Sequence, residues 1–193
     1  MKSLLEHISR FVALDNYETD KLSHFGKLLL LKKKDFLWKE GQICRAQYFV
    51  IKGCLRLYYL NEKGQEQITQ FAIENWWIAD IRSLDMRQPS VFHLQAVENS
   101  EVLSLDIDSM NQLLEAVPRL EKYFRLVQQR AYGATQQRLR FLHSLSKEEQ
   151  YRQFIQAFPG FTERIPQYML ASYLGFTPEY LSELRKKHAA SIS

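Results

Sequence analysis

Residues 167–184 read QYMLASYLGFTPEYLSEL and lead directly into Arg185-Lys186-Lys187. Ile165-Pro166, just before them, predicts a helix start with the proline at the first helical position, where its missing N–H is not needed. Gly175 supplies the left-handed backbone for a sharp turn. Thr177 then predicts an N-cap, Pro178 fits the first turn of a second helix, and Glu179 favours the positive end of its dipole. Two helices joined this tightly touch near the turn, and Ala171 keeps that contact small. Leu170, Leu174, Phe176, Leu181 and Leu184 fall on a shared inner face, leaving Glu179, Tyr180, Ser182, Glu183, Arg185, Lys186 and Lys187 outside. This is the layout of a helix-turn-helix, whose second helix enters the major groove of a duplex. A helical hairpin with no ligand would satisfy much of the same description, so the motif leaves both readings open.

The charge distribution bears on that choice. The chain of 193 residues has a net charge of +4, but residues 1–117 hold 14 Lys and Arg against 16 Asp and Glu, whereas residues 118–193 hold 12 against 6. Positive charge is therefore concentrated around the motif, as a polyanion-binding surface requires.

Upstream of the motif the pattern is helical back to about residue 107. A short helix is expected over Met110–Ala116. Pro118 then opens a longer one that runs to about Leu145, and Lys147–Phe158 forms a third that ends at Pro159-Gly160. Along the long helix Leu120, Phe124, Val127, Ala131, Ala134, Phe141 and Leu145 fall on alternating steps of four and three, with Arg138 the polar occupant of the row. Such a seam predicts a second copy of the helix as partner. Packing on the chain's own core is the alternative. At about 1.5 Å per residue the helix reaches roughly 40 Å, longer than a domain of this size needs. Gly133 weakens it by about 1 kcal/mol relative to alanine and marks a close crossing or a bend.

Residues 26–106 have a different texture. Short β-rich runs recur (LLLL, FLW, YFVI, CLRLYYL, QITQFAI, VFHLQAV, EVLSLDI), punctuated by Glu40-Gly41, Lys52-Gly53, Asn61-Glu62-Lys63-Gly64 and Glu98-Asn99-Ser100. In residues 55–60 and 67–71 the alternation predicts strands with one buried and one wet face. Many short antiparallel strands in about 80 residues imply a sheet closed on itself. Before them, residues 1–25 read as short helices broken at Asp15-Asn16.

Several function classes are excluded or disfavoured. No apolar run reaches the roughly 18 residues of a membrane span, and Glu6, His7 and Arg10 interrupt any secretory leader, so a cytoplasmic protein is expected. Two cysteines, Cys44 and Cys54, are too few for a disulfide framework or a four-cysteine metal or iron–sulfur site. The five histidines, His7, His24, His93, His143 and His188, are isolated, with no metal-binding spacing. A non-enzyme is expected, with no catalytic residue, metal or certain cofactor.

The order of β-roll, long seam helix and C-terminal helix-turn-helix resembles the Crp/Fnr family of transcription regulators over nearly the whole chain. Glu40-Gly41-Gln42, Tyr48-Phe49-Val50-Ile51-Lys52-Gly53 and Leu103-Ser104-Leu105 resemble its strand-and-turn pattern; Ile165-Pro166, Ala171, Leu174-Gly175, Thr177-Pro178-Glu179 and Leu181-Ser182 resemble its DNA-binding signature. The resemblance implies a ligand pocket at Ala79, Asp80, Ile81, Arg82, Ser90 and Val91, with Tyr123 and Phe124 of the seam helix beside it. Cyclic-nucleotide-binding members carry Gly-Glu-Leu where this chain has Ala79-Asp80-Ile81, and Arg-Ser or Arg-Thr where it has Ser90-Val91. Without that guanidinium an anionic phosphate loses its main charge-assisted bond, so cyclic AMP is not the expected effector. Arg82 and Arg87 are the candidate substitutes. Trp76, Trp77, Phe92 and His93 offer either an apolar wall for another small effector or filling for the roll's interior.

At the DNA end, Glu183 stands where many members carry a base-reading arginine. A mid-helix arginine grips guanine, whereas Glu179, Ser182 and Glu183 meet cytosine amino groups or other edges and repel phosphate. Phosphate anchoring then falls to Lys186, Lys187 and Tyr168.

The resulting expectation is an α+β chain: an antiparallel β-roll sensor (a double-stranded β-helix or jelly-roll) with flanking helices over 1–117, a dimerisation helix over 118–145, and an all-α helix-turn-helix domain over 146–193. Its expected partners are double-stranded DNA and a second copy; the resemblance adds RNA polymerase and a small effector, and no membrane. The competing reading is a ligand-binding roll that docks on proteins and does not bind DNA.

Overall fold

The computed structural model describes residues 1–192, with side chains through Lys187. The N-terminal helices α1 (Lys2–Ser9) and α2 (Asn16–Ser23) precede five strands, β1 (Lys27–Leu31), β2 (Phe36–Trp38), β3 (Ala46–Lys52), β4 (Leu55–Leu60) and β5 (Glu66–Ala72). Then come β6 (Trp77–Ile78), the short helix α3 (Ile81–Met86), β7 (His93–Ala96) and β8 (Ser100–Asp106). Helices complete the chain: α4 (Ile107–Ala116), α5 (Arg119–Ser144), α6 (Lys147–Ala157), α7 (Phe161–Arg164), α8 (Gln167–Leu174) and α9 (Pro178–Ile192). Asp15 caps α2 in a reciprocal capping box with Glu18, which explains why the sequence breaks there. The chain divides into two compact units, one of residues 1–59 and 70–130, the other of residues 60–69 and 131 onward.

In the first unit the strands form two four-stranded antiparallel sheets, ordered β1-β8-β3-β6 and β2-β7-β4-β5. The expected β-roll with flanking helices is therefore present. Between the sheets lie Trp38, Tyr48, Val50, Leu55, Leu57, Ala72, Ile78, Leu94, Ala96 and Val102. The outer face of the first sheet presents Phe49, Leu103 and Leu105 to the helices, where they pack with Leu4, Ile8, Leu22, Met110, Leu113, Leu120, Tyr123 and Phe124. Gly53, at φ +101°, turns β3 into β4; a Cβ there would lie 2.7 Å from Ser100 Cβ and 2.8 Å from its Cα. Only glycine fits that turn.

The expected wet face of β4 is not wet, because Arg56 is 3% and Tyr58 5% exposed. The Arg56 guanidinium donates to Gln95 Oε1 and lies 4.3 Å from the centroid of the Tyr58 ring, on which His93 also stacks, at 4.8 Å. Gln95 in turn donates to Lys34 O, so a hydrogen-bonded polar layer covers this face. Alternation in the sequence distinguishes two faces of a strand but not whether the polar one meets water.

The second unit is built on aromatic packing of Phe154 against Phe158, Phe161 and Tyr173. Gln150, 4% exposed, donates to Leu142 O in the last turn of α5 and to Leu145 O just after it, tying the start of α6 to the end of that helix. The hairpin tip of residues 60–69 belongs to this unit. Ser172 Oγ donates to Glu66 O at 2.7 Å and accepts from Ile68 N–H at 2.9 Å, taking the place of a neighbouring strand at the edge of β5. Arg138 Nη2 donates to Tyr173 O at 2.9 Å and Ile68 O at 3.4 Å, with its guanidinium 3.9 Å from the Tyr173 ring centroid. Its burial lowers the guanidinium pKa from the ordinary value.

The long-helix seam divides differently from the expectation. Leu120 and Phe124 are buried in the roll-side cluster with Val127 packed against it, so that end of the row faces its own chain. The periodicity located a buried stripe, but a stripe cannot say whose core it faces. A second row on the adjacent face remains open: Gln128, Tyr132, Thr135 and Leu139 are exposed, Tyr132 at 66% and Leu139 at 53%. No group lies within 4 Å of a Cβ placed on Gly133, so no helix of this chain crosses there among the described residues.

Candidate nucleic-acid interface

The position of α9 is set by the turn before it. Gly175 caps α8 at φ 72°, ψ 32°, and Phe176 N–H closes back on Ala171 O at 2.8 Å, leaving room for one tight elbow. Thr177 Oγ1 then accepts from Tyr180 N–H at 3.2 Å, the expected cap of α9. Pro166 stands one place earlier than expected, at the N-cap of α8, where its carbonyl accepts from Met169 and Leu170. Ala171 and Leu181 are fully buried, and Leu170, Leu174, Phe176 and Leu184 are buried with them.

That inner face fixes the outer one. Thr177, Glu179, Glu183, Lys186 and Lys187 are exposed, Tyr180, Ser182 and Arg185 are half-buried, and Tyr168 on α8 is 50% exposed. The nine candidate DNA-binding residues thus all reach the surface of one helical unit. Lys147, at the start of α6, adds a cation the sequence did not reveal: its Nζ lies 5.2 Å from the Tyr180 ring and 5.8 Å from that of Phe176. No sequence signal joins residues so far apart in the chain.

The candidate pocket residues separate into two groups. Asp80 and Ser90, 8% and 3% exposed, satisfy each other: Ser90 Oγ donates to Asp80 Oδ2 at 2.7 Å and Asp80 Oδ1 accepts from Ser83 N–H as the cap of α3. Trp38 Nε1 donates to the same Ser90 hydroxyl at 3.3 Å. Ala79 is half-buried beside them, while Ile81, Arg82, Arg87 and Val91 are exposed, so neither arginine substitutes for a buried phosphate clamp.

Tyr123 and Phe124 belong instead to the helix-covered outer face of the first sheet. The Tyr123 hydroxyl lies 2.8 Å from both Trp77 Nε1 and His7 Nδ1. Indole N–H can only donate, so the phenol oxygen accepts from Trp77 and is also hydrogen-bonded to His7 Nδ1. Burial, then Arg10 and Arg130, lower the His7 pKa, which favours the neutral imidazole. The four aromatics do not make one wall: Trp76 is exposed, Trp77 packs in the outer cluster, Phe92 against the interior, and His93 against Tyr58. No cluster of three metal-ligating side chains occurs among the described residues, and no described helix is long and apolar enough to cross a membrane.

In the described residues a roll of two antiparallel sheets is followed by a long helix and a helix-turn-helix. Residues 28–117 match the cyclic nucleotide-binding domain family. The chain is 25% identical over 183 residues to an anaerobic regulatory protein of Aggregatibacter actinomycetemcomitans, covering 89% of this chain and 70% of that one. A fumarate and nitrate reduction regulatory protein of Yersinia pestis is likewise 25% identical, over 89% of this chain and 72% of its own. Among solved structures, FixK2 of Bradyrhizobium japonicum superposes with a TM-score of 0.74 at 14% identity, over 86% of this chain and 85% of that one. Over most of its length the chain is similar to regulators of the Crp/Fnr type. These relatives are regulatory proteins and not enzymes, in agreement with the expectation from the sequence.

Proposed function

We propose that the chain is a sequence-specific, DNA-binding transcription regulator that works as a homodimer. The observation that carries the reading is the outward row Glu179, Ser182, Glu183 and Lys186 on α9, backed by buried Leu181 and Leu184 and preceded by the Gly175 elbow. This is the surface a helix-turn-helix offers to the major groove. Arg185, Lys186, Lys187, Lys147 and the Tyr168 hydroxyl supply phosphate contacts, and the cationic half of the chain supports them. The protein-docking roll without DNA binding is not favoured, because the relatives are named as regulators.

The dimer seam is the exposed α5 row, Gln128, Tyr132, Thr135 and Leu139, with the small residues Ala131 and Ala134 beside it. Its steps of four, three and four suit a second helix of the same kind. Two reading helices so related would address half-sites one duplex turn, about 34 Å, apart. RNA polymerase is the protein partner such a regulator would meet at a promoter. Any effector of the roll is not a cyclic phosphate, because no arginine stands at Ser90-Val91 to hold one.

Binding to a selected pseudo-palindromic duplex, measured against salt concentration, tests the reading. Steep weakening with salt is expected, and Lys186→Ala/Lys187→Ala lowers the slope by about one unit for each phosphate that is no longer neutralised. Sequence-indifferent recovery, unaltered in the double variant, would overturn it.

A further inference from the structure

We propose that Glu183 makes the operator of this protein a selector of amino-bearing bases, cytosine or adenine, at a position two base pairs from the one met by Glu179. The inference rests on α9 being the reading helix. Glu179 and Glu183 are both exposed, and neither has a hydrogen bond or ion pair among the described residues. Four residues apart, they stand on one face of α9 with Ser182 between them, and Lys186 follows one turn later. Within the first two turns of this face there is no arginine or lysine, so the fork of donors that grips guanine O6 and N7 is missing where a reading helix enters the groove.

A carboxylate carried into the groove loses water and, as an acceptor only, can be compensated only by a hydrogen-bond donor. On the major-groove floor the donors are cytosine N4 and adenine N6; guanine O6 and N7 and thymine O4 are acceptors and repel it. The discrimination is therefore as much rejection of guanine and thymine as attraction to cytosine and adenine. Four residues of helix rise about 6 Å, and base pairs stack about 3.4 Å apart, so the two carboxylates address positions just under two steps apart along the groove. Net negative charge on this face also makes the flanking cations indispensable. Lys186, Arg185, Lys187 and Lys147 must offset two carboxylates before they add any affinity.

The test is selection from a random duplex pool with the full chain, repeated with Glu183→Ala, Glu183→Gln and Glu183→Arg; position 183 is exposed, so all three fold. The wild type enriches cytosine or adenine at two positions two base pairs apart in each half-site. Replacing the favoured base at the Glu183 position weakens binding by about 5- to 150-fold, the usual range for one mismatch. Glu183→Ala flattens that single position, Glu183→Gln shifts it to adenine and Glu183→Arg to guanine, with the Glu179 position retained. Wild-type enrichment of guanine or thymine there, or a base preference identical in all four proteins, overturns this inference and leaves the regulator reading standing. A pool in which the wild type enriches no sequence overturns both.

Discussion

Replacing Tyr123 by phenylalanine removes one oxygen from a side chain that is fully buried and leaves its ring packing unchanged. Two groups lose their partner: the Trp77 indole N–H, which donates to the phenol, and His7 Nδ1, which is hydrogen-bonded to it. A buried polar group left without a partner costs about 1–3 kcal/mol. Both groups belong to half-buried residues, so water reaches them in part and the combined loss should be about 1–3 kcal/mol, not twice that. For a chain of this length that lowers the melting temperature by roughly 2–10 °C. Urea unfolding should show a lower midpoint with an unchanged slope, because no surface is newly exposed. The double variant with His7→Phe should recover part of the loss, since removing both partners is milder than orphaning one. A Tyr123→Phe protein as stable as the parent would refute the assignment of this hydroxyl as the link between α1, β6 and α5.

The same His7 gives a pH signature. Its folded pKa lies below the ordinary imidazole value of about 6.5, so the unfolded chain binds the proton more readily. The contribution is fully present above that value and is lost as pH falls from it through the folded pKa, with a slope of at most about 1.4 kcal/mol per pH unit; His7→Phe should flatten that limb of a stability–pH curve. Gly53→Ala should be among the most damaging single changes, lowering stability by several kcal/mol (about 2–4), because the left-handed turn and the approach to Ser100 both oppose a methyl group; chemical denaturation measures it. Ser172→Ala removes the hydroxyl that accepts from Ile68 N–H and donates to Glu66 O at the edge of β5 and should cost about 1–3 kcal/mol, with faster amide exchange at Ile68. Cyclic AMP should leave the melting temperature unchanged, because no arginine stands at Ser90-Val91 and Arg82 and Arg87 are exposed; a rise would refute that reading of the pocket.

The helix-turn-helix was legible because everything that specifies it is local. Gly175, Thr177 and the leucine row act within one turn of backbone, and each stands as expected, with Pro166 displaced by one place. The strands of the roll were legible for the same reason, whereas α3 was not: six residues capped by Asp80 are too few for a period to emerge. The candidate site divides along this line. The outward residues of α9 follow from one helical period. The pocket residues, carried over by resemblance, separate into an Asp80–Ser90 pair and a Tyr123–Phe124 cluster on the opposite face of a sheet.

By itself the sequence determined which segments are helical or extended, where each cap and elbow falls, and which face of α9 is apolar, since these depend on interactions a few residues long. Tertiary structure alone decided which core the stripe of α5 serves, that Arg56 and Tyr58 are covered, that Ser172 completes the edge of β5, and that Trp77, Tyr123 and His7 share a hydroxyl. These interactions join residues up to 116 positions apart, and hydrophobic periodicity carries the direction of a side chain without the identity of what it meets.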